Sequence, residues 1–392
     1  MKSILILLNN SLKNDARVIR QANALVELGE VVIYSMLAED SYRPRALNKR
    51  IEMRYYNYPD GLKLKILKHS LIHREYDFMA AGFEQNDESF DFCIANDLPC
   101  LHSALMLKKK GMVKRVIYDA HEIYSETIRQ FFPGKANMPF YKRWAVNTLT
   151  SIMVRNAVRF ERKAVRQLDG MMTVNNSLAA YFSERYGIKK PSVVRSIPDV
   201  TPDANALLFD FRKHYGWSDD THILLYQGML NPGRGLYISI DAMRLLEDKY
   251  KLVIIGDGPL KQDLQKYSRS SNLSERVKFF GSVSNDTLIQ YTKGADIGLC
   301  LIEPINLSKK LSLPNKVFEY LHAGIPVLGS EIPEIMKIIE KNDIGAVSPL
   351  EPDTVAQKVK FISNNNYSND LKQAAQKLNW QNEKEKLKSM LK

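Results

Sequence analysis

The stretch LSLPNKVFEYLHAGIPVLGS, Leu311–Ser330, places a short apolar helix immediately before a buried strand. Pro314 stands where the first turn of a helix tolerates proline, and Gly324 stands where a glycine commonly ends a helix. Lys316 and Glu319 are three residues apart, so they share one edge of this helix while its apolar residues face inward. A cation and a carboxylate beside a helix N-terminus are suited to an anion with a second polar group. The stretch therefore predicts an α/β architecture with a ligand site at a helix start.

Length and composition indicate a globular protein with more than one domain. The chain has 392 residues, of which 45% are hydrophobic and 26% charged, which is enough for two cores. Its three cysteines have no CxxC or metal-ligand spacing, which favours a reducing compartment. The apolar run near the N-terminus is too short for a signal peptide or a membrane span. We therefore expect a cytoplasmic protein.

Positive charge is concentrated in the first half of the chain. Residues 1–200 carry 31 Lys and Arg against 21 Asp and Glu, whereas residues 201–392 carry 25 against 23. Most of the excess falls within residues 101–166, where 14 basic residues accompany four acidic ones. A one-sided basic surface predicts an anionic partner for the first half, namely a membrane, a lipid phosphate or nucleic acid.

Short apolar runs rich in β-branched residues alternate with helical stretches along the whole chain, which predicts parallel α/β sheets. The runs that predict strands are SILILL, VVIYS, FDFCIA, RVIYDA, GMMTV, SVVRS, HILLYQG, KLVIIGDG, RVKFFGS, DIGLCLI, IPVLGS and GAVSP. The aperiodic, proline-containing stretch at residues 195–208 indicates a boundary. We expect one domain over residues 1–197, a second over 198–367, and a charged C-terminal helix over 368–392 that packs back toward the first.

A glycine-rich loop follows the first strand of the second domain. In YQGMLNPGRGL, Gly228, Gly233 and Gly235 let the backbone approach a ligand, and Arg234 adds a charge ahead of a helix. The alternative is a loop whose glycines only turn the chain. The next strand is followed by IIGDGP, which lacks the full GxGxxG fingerprint and so disfavours a dinucleotide-binding dehydrogenase.

Taken in order, these motifs resemble a known enzyme family. YQGMLNPGRGL, LVIIGDGP, VKFFGSV and the opening stretch resemble the donor domain of retaining glycosyltransferases of the family-4 type, the glycosyl transferases group 1. NDARVIRQANALVELGEVVIYS, YDAHEIYSE and VNNSLAAYFSERYGI look like its acceptor domain. The resemblance implies the GT-B fold, in which two doubly wound, Rossmann-like parallel-sheet domains face a central cleft.

The resemblance also implies how a nucleotide diphosphate-sugar is held. Arg234 and Lys316 match the two basic diphosphate positions, where cations stabilise the leaving group as it gains charge. Glu319 matches the carboxylate that accepts hydrogen bonds from the ribose hydroxyls. The donor-binding positions carried over from the family are Gly228, Gly256, Gly258, Val283, Leu313, Pro314, Asn315 and Glu319.

Two departures from the family pattern concern the sugar. A glutamate often stands eight residues before the ribose-binding one, and here that position is Leu311; an arginine often follows the first loop glycine, and here it is Met229. The chain contains no DxD triplet, so we expect no metal and no other cofactor.

On the acceptor side, the resemblance makes His121 a polar contact near the reacting centre, supported by Glu122. The alternative is a structural histidine under a loop. Asp15 and Arg17 match an acceptor-binding loop, although Asp15 could equally cap the following helix.

A basic stripe lies on a predicted helix between residues 141 and 168. Arg155, Arg159, Arg162 and Arg166 are spaced four, three and four apart, opposite an apolar face that includes Leu149. The stripe predicts contact with an anionic membrane, and the alternative is a solvated helix face. No nucleic-acid-binding motif accompanies it, so we expect no nucleic acid partner.

These observations predict a retaining, metal-independent glycosyltransferase, a hexosyl- or N-acetylhexosaminyltransferase. It would move a sugar from a nucleoside diphosphate-sugar, with UDP as the expected carrier, to a cell-surface glycan or lipid-linked saccharide. We expect it in the cytoplasm, peripheral on the inner face of the plasma membrane. The alternatives are a GT-B-fold nucleotide-sugar epimerase and a catalytically silent GT-B partner subunit.

Overall fold

A computed structural model describes residues 1–10, 12, 15–36, 43–56, 88–131, 138–199 and 208–392. The chain divides into two compact units: Met1–Arg195 with Glu383–Lys392, and Ser196–Asn382. The predicted boundary at residues 197/198 is two residues from this division, and residues 200–207 of the predicted linker lie outside the described part.

The first unit contains a seven-stranded, fully parallel sheet in the order β3-β2-β1-β4-β5-β6-β7. The central run Ile4–Leu7 has no solvent exposure, as expected for a parallel strand covered on both faces. The strands are β1 Lys2–Leu7, β2 Gly29–Met36, β3 Glu52–Tyr56, β4 Phe90–Asn96, β5 Val113–Ala120, β6 Gly170–Thr173 and β7 Ser192–Val193.

Strand β3 is the one strand of the described residues that the apolar runs do not predict. It lies at the edge of the sheet, and in its sequence EMRYY two charged residues, Glu52 and Arg54, interrupt the apolar ones. Arg54 within it pairs with Glu52 (2.6 Å) and Glu88 (2.5 Å) at the surface. An edge strand buries little apolar area, so it leaves no continuous hydrophobic run in the sequence.

Helices flank this sheet, and the C-terminal segment differs from its prediction. The helices are α1 Ala16–Leu25, α2 Asp97–Lys109, α3 Tyr124–Phe131, α4 Phe140–Ala164 with a 3-10 turn at Val165–Gln167, and α5 Asn176–Tyr186. The predicted single helix over 368–392 is instead two helices that break at Leu378–Asn379. Most of the second helix, from Glu383 onward, belongs to the first unit, where Lys384 and Lys388 pair with Glu27.

The second unit contains a six-stranded parallel sheet in the order β10-β9-β8-β11-β12-β13. Its strands are β8 His222–Gln227, β9 Tyr250–Ile255, β10 Val277–Gly281, β11 Ile297–Cys300, β12 Val327–Ser330 and β13 Gly345–Ser348. Its helices are α6 Phe211–Tyr215, α7 Leu236–Met243, α8 Lys261–Ser270, α9 Leu288–Thr292, α10 Leu307–Lys310, α11 Lys316–Ala323, α12 Pro333–Asn342, α13 Pro352–Ser363 and α14 Ser368–Lys377; α15, Trp380–Met390, continues into the first unit.

Both sheets are doubly wound, which confirms the predicted fold class. The strand order reverses between β1 and β4 in the first unit and between β8 and β11 in the second. Ligands of such sheets bind outside the carboxyl ends of the strands at these reversal points. The loops that leave β1 and β4, and those that leave β8 and β11, are therefore where functional side chains are expected.

Among the residues that the structure describes, no helix combines the length and the apolar character needed to cross a bilayer.

Candidate functional site

The ammonium group of Lys316 lies buried at the carboxyl end of β8. Its side chain is only 7% exposed, and Nζ has no hydrogen-bond partner among the residues that the structure describes. Nζ lies 3.7 Å from the centre of the Tyr226 ring, a cation–π contact. It also faces the Gly228 backbone, since a Cβ built there would be 3.8 Å from Nζ. A buried cation without a hydrogen-bonding partner is costly, which marks this position as a site for an anion.

The electrostatic surroundings of Lys316 agree with its assignment to an anion site. Burial, with a contribution from Arg234, lowers the pKa of Lys316 to about 7, while Cys300 and Glu319 oppose the change. The Nε of Arg234 is also buried, and no described residue forms a hydrogen bond with it. Arg234, in the loop before α7, and Lys316, at the start of α11, therefore influence one another, and one buried nitrogen of each has no partner in the described part of the chain.

Glycines let three loops approach closely beside this pair. A Cβ at Gly256, where φ is 140°, would lie 2.0 Å from the carbonyl oxygen of Gly228. A Cβ at Gly258, where φ is 157°, would lie 2.7 Å from the Leu230 backbone. The backbone N–H of Gly256 also donates to the carbonyl of Gly281 at 2.8 Å. Glycine at 256 and 258 is therefore required by loop packing, whatever contact these residues make with a ligand.

The carboxylate of Glu319 is oriented by partners that the sequence did not reveal. Gln227 Nε2 donates to Glu319 Oε2 at 2.5 Å, and Thr292 Oγ1 donates to Gln227 Oε1 at 2.8 Å. Gln227 and Thr292 are buried. The only sequence signal for Gln227 is its place at the last residue of a strand, before the glycine loop.

A second carboxylate that the sequence analysis missed fixes the start of α7. Glu303, in the loop after β11, accepts a hydrogen bond from the Gly235 backbone N–H at 2.9 Å. This contact ties the arginine-bearing loop to the loop that precedes Lys316. The other donor-binding predictions remain predictions: Leu313 is buried, Val283 and Pro314 are half-buried, and Asn315 is exposed.

In the first unit, His121 lies between two carboxylates. Its Nδ1 is 3.3 Å from Asp97 Oδ2, and its Nε2 is 3.0 Å from Asp119 Oδ2. Burial alone would lower the pKa of His121, but the two carboxylates outweigh it and raise the pKa well above its usual value. The two carboxylates therefore favour the protonated form of the imidazole, with each ring nitrogen facing one of them.

Asp97 adds backbone strain at the same place. It has a φ of 59°, in the left-handed region that a non-glycine residue seldom occupies, and its carboxylate also accepts the His121 backbone N–H at 3.0 Å. Strained residues of this kind persist where surrounding contacts hold them. Asp97 and Asp119, rather than Glu122, are the carboxylates measured next to His121; Glu122 accepts a hydrogen bond from Thr127 at 2.5 Å.

The structure changes the interpretation of the two predicted acceptor-loop residues. The Arg17 guanidinium is 6% exposed and donates to Asp119 at 2.8 and 3.1 Å and to the Val194 carbonyl at 2.7 Å. Three of its N–H groups are therefore used within the protein, and a contact with the acceptor remains a prediction. Asp15 caps α1 by accepting the Val18 N–H at 3.1 Å, which is the alternative that the sequence left open.

The predicted basic stripe lies on α4 and its 3-10 turn. Arg155, Arg159, Arg162 and Arg166 are all exposed. Leu149 was expected on the packed face, but it is exposed as well. The reason is that the first half of α4 packs much less than the second, where Met153, Ala157 and Ala164 are buried.

Comparison with known proteins identifies the second unit. Residues 209–378 match the family model described as glycosyl transferases group 1. An uncharacterized glycosyltransferase, MJ1607, of Methanocaldococcus jannaschii is 30% identical over 158 residues, which are 39% of this chain and 38% of that protein. The amylovoran biosynthesis glycosyltransferase AmsK of Erwinia amylovora is 28% identical over 129 residues, 32% of each chain. The chain thus spans well under half the length of these curated relatives.

A solved structure extends the similarity of fold to the whole chain. Alr3699/HepE of Anabaena, determined in complex with UDP and glucose, superposes with a TM-score of 0.73, covering 100% of this chain and 99% of that chain at 15% identity. The match over residues 209–378 agrees with the family that the sequence predicted, the glycosyl transferases group 1.

Proposed function

We propose that this protein is a retaining glycosyltransferase that moves a sugar from a nucleoside diphosphate-sugar to a saccharide acceptor. The observation that carries the proposal is the unsatisfied cationic pair, Lys316 and Arg234, at the strand-order reversal of the second unit. The departing diphosphate would provide the missing hydrogen-bond acceptors for both groups. Because these cations are fixed in a low-dielectric site, they would stabilise the charge that develops on the leaving group.

The nucleoside would be held by the neighbouring groups. Glu319, oriented by Gln227, would accept hydrogen bonds from the vicinal ribose hydroxyls, and the loops at Gly256 and Gly281 would support the base. UDP is the proposed carrier; the similar fold of Alr3699/HepE, determined with UDP and glucose, supports this choice. In this proposal Arg234 and Lys316 supply the positive charge that a metal provides in other sugar transferases.

The first unit would bind the acceptor near His121. Its fixed imidazolium would contribute positive charge near the reaction without taking a proton, so the acceptor hydroxyl would release its proton to the departing phosphate. The proposed acceptor is a cell-surface glycan or lipid-linked saccharide. Its support is the basic first unit together with the similarity to AmsK, whose name places it in amylovoran biosynthesis.

The proposal is tested by incubating the protein with a panel of nucleotide sugars and following nucleoside diphosphate release. Arg234→Ala and Lys316→Ala should each reduce donor affinity and turnover by at least about 100-fold, as expected for loss of a charged contact to the leaving group. Arg244→Ala and Lys341→Ala are matched controls at exposed positions of the same unit and should leave both unchanged. Retention would be read from the anomeric configuration of the product by NMR.

The two alternative functions give different outcomes in this assay. Interconversion of sugars without diphosphate accumulation would indicate an epimerase. Donor binding without any turnover would indicate a silent partner subunit, which the leucine at position 311 would explain. Normal kinetics in both alanine variants would refute the assignment of the diphosphate site.

A further inference from the structure

We propose that helix α4 is a membrane-docking helix that lies in the surface of an anionic bilayer, inserting its aromatic first half and binding lipid phosphates through its arginine second half. The inference concerns an interaction surface and does not depend on the transferase reaction.

The first half of α4 exposes large apolar side chains. Phe140 is 75% exposed, Tyr141 66%, Trp144 63% and Ile152 45%. Three of these are aromatic and lie within a span of five residues. An ordinary protein surface exposes its apolar residues singly rather than as such a cluster. Tyr and Trp are the residues that most often sit at the boundary between hydrocarbon and water.

The arginines lie on the same face of the helix as the aromatic rings. At about 100° per residue, Trp144 and Arg162 share one angular position, and Phe140, Tyr141, Arg155 and Arg159 fall within about 60° of it. The buried residues of α4 occupy a different arc of about 100°: Thr150, Met153, Val154, Ala157, Glu161 and Ala164. The aromatic and arginine groups therefore form one face about 33 Å long, directed away from the packed side.

The charges on this face lack partners among the described residues. No carboxylate there pairs with the four arginines, and the only acidic residue of α4, Glu161, is buried and accepts hydrogen bonds from Tyr118 (2.9 Å) and Tyr186 (2.5 Å). Burial raises the pKa of Glu161, and the two phenols oppose the change. Glu161 thus forms its hydrogen bonds inside the unit, and the exposed face of α4 carries positive charge only.

An anionic bilayer satisfies both halves of the face at once. Lipid phosphates accept hydrogen bonds from guanidinium groups, and the interfacial layer accommodates aromatic rings. A nucleic acid could pair its phosphates with the arginines and stack its bases on the aromatic rings. Ile152, however, is aliphatic and provides no ring on which a base could stack. The helix would lie in the interface rather than span the bilayer, since no described helix is long and apolar enough to cross one.

The test measures binding of the full-length protein to sedimenting vesicles of phosphatidylcholine, with and without about one third phosphatidylglycerol. We expect binding only to the anionic vesicles and a decrease as salt is raised, because screening shortens the reach of surface charges. The variant Arg155→Gln, Arg159→Gln, Arg162→Gln, Arg166→Gln should bind at least about 100-fold more weakly, since each basic residue contributes a factor of about five. A matched control removes four exposed charges elsewhere on the same unit: Arg45→Gln, Lys49→Gln, Lys189→Gln, Lys190→Gln.

The aromatic half is tested separately. Phe140→Ser, Tyr141→Ser, Trp144→Ser should weaken vesicle binding about tenfold or more without changing its dependence on salt, because the lost contribution is apolar. Phe361→Ser with Leu245→Ser is the control at exposed positions of the second unit. The emission spectrum of Trp144, obtained by subtracting the spectrum of Trp144→Phe from that of the wild type, should shift to shorter wavelength when anionic vesicles are added.

The proposal is overturned by equal binding to neutral and anionic vesicles, or by full binding of either α4 variant. It is also overturned if vesicles are not bound while a single-stranded oligonucleotide is, or if the α4 substitutions abolish a concentration-dependent dimer in the absence of any vesicle binding. Thermal unfolding followed by circular dichroism serves as the folding control for the first unit, and UDP affinity should stay unchanged because neither set of substitutions touches the second unit.

Discussion

Replacing Lys316 by methionine should make the second unit more stable while removing its affinity for a diphosphate. Methionine keeps the length and most of the volume of the lysine side chain but carries no charge. The pKa of Lys316 in the folded protein is about 7, against an ordinary value of 10.5. This difference corresponds to about 5 kcal/mol of folding free energy lost to burying the ammonium. The cation–π contact with Tyr226 offsets about 2 kcal/mol, so we expect a net gain of about 3 kcal/mol near pH 7.

The pH dependence of this gain follows from the direction of the pKa change. The unfolded chain holds the Lys316 proton up to about pH 10.5, but the folded protein holds it only up to about pH 7. Between these values the unfolded state binds more protons, so the stability of the wild type rises with pH. The advantage of Lys316→Met should therefore be greatest at or below about pH 7 and fall toward zero as pH approaches 10.5.

Urea unfolding followed by circular dichroism at several pH values measures both effects. A gain of about 3 kcal/mol near pH 7 would raise the melting temperature of a unit of this size by roughly 6–12 °C. Lys341→Met, at an exposed position, is the matched control and should change stability by less than about 0.5 kcal/mol. A variant no more stable than wild type, or a difference that does not shrink with rising pH, would refute the reasoning.

Calorimetry with UDP tests the functional half of the same prediction. The bound diphosphate should raise the pKa of Lys316, so wild-type affinity should decline above about pH 7 by up to tenfold per pH unit. The methionine variant should bind at least about 100-fold more weakly, without that decline. Unchanged UDP affinity in a stabilised variant would mean that the buried ammonium has another partner.

Three further changes test the surrounding geometry. Gln227→Leu should weaken UDP binding about tenfold but leave inorganic pyrophosphate binding unchanged in calorimetry, because it frees the carboxylate of Glu319 that is assigned to the ribose; equal losses for both ligands would contradict the assignment. Gly256→Ala should cost at least about 3 kcal/mol in urea unfolding, since its Cβ would lie 2.0 Å from the Gly228 carbonyl oxygen; a cost below about 1 kcal/mol would show that the loops separate easily. Asp119→Asn should destabilise the first unit by about 3–5 kcal/mol near pH 7, because Arg17 loses the carboxylate it is buried against and His121 keeps only Asp97; a stability close to wild type would show that water or another group replaces it.

The candidate donor site was foreseeable because its residues lie close together in sequence. Lys316 and Glu319 are one helical turn apart, and Arg234 stands between two glycines of one loop. What orients them was not foreseeable. Gln227 lies 92 residues from Glu319 along the chain. Only the packing of α11 on the sheet brings the two side chains within hydrogen-bonding distance.

The acceptor-side predictions were likewise limited by contacts between residues that are distant in sequence. Arg17 stands in a loop-and-helix-start pattern that resembles a substrate contact, yet its guanidinium binds Asp119, 102 residues away. His121 looks like an accessible polar residue after a strand, but Asp97 at the end of the neighbouring strand completes its pair of carboxylates. No local pattern reveals such pairings, because they depend on which strands become neighbours.

By itself, the sequence indicated the two parallel sheets, except for the edge strand β3, because strands covered on both faces leave short continuous apolar runs between helical stretches. It also determined which loops carry the cations and which helix carries the arginines. Only the tertiary structure decided which charges are buried, which are paired and which stay exposed. The physical reason is that the cost of a charge is set by its distant neighbours and its access to water, and neither is encoded in the residues beside it.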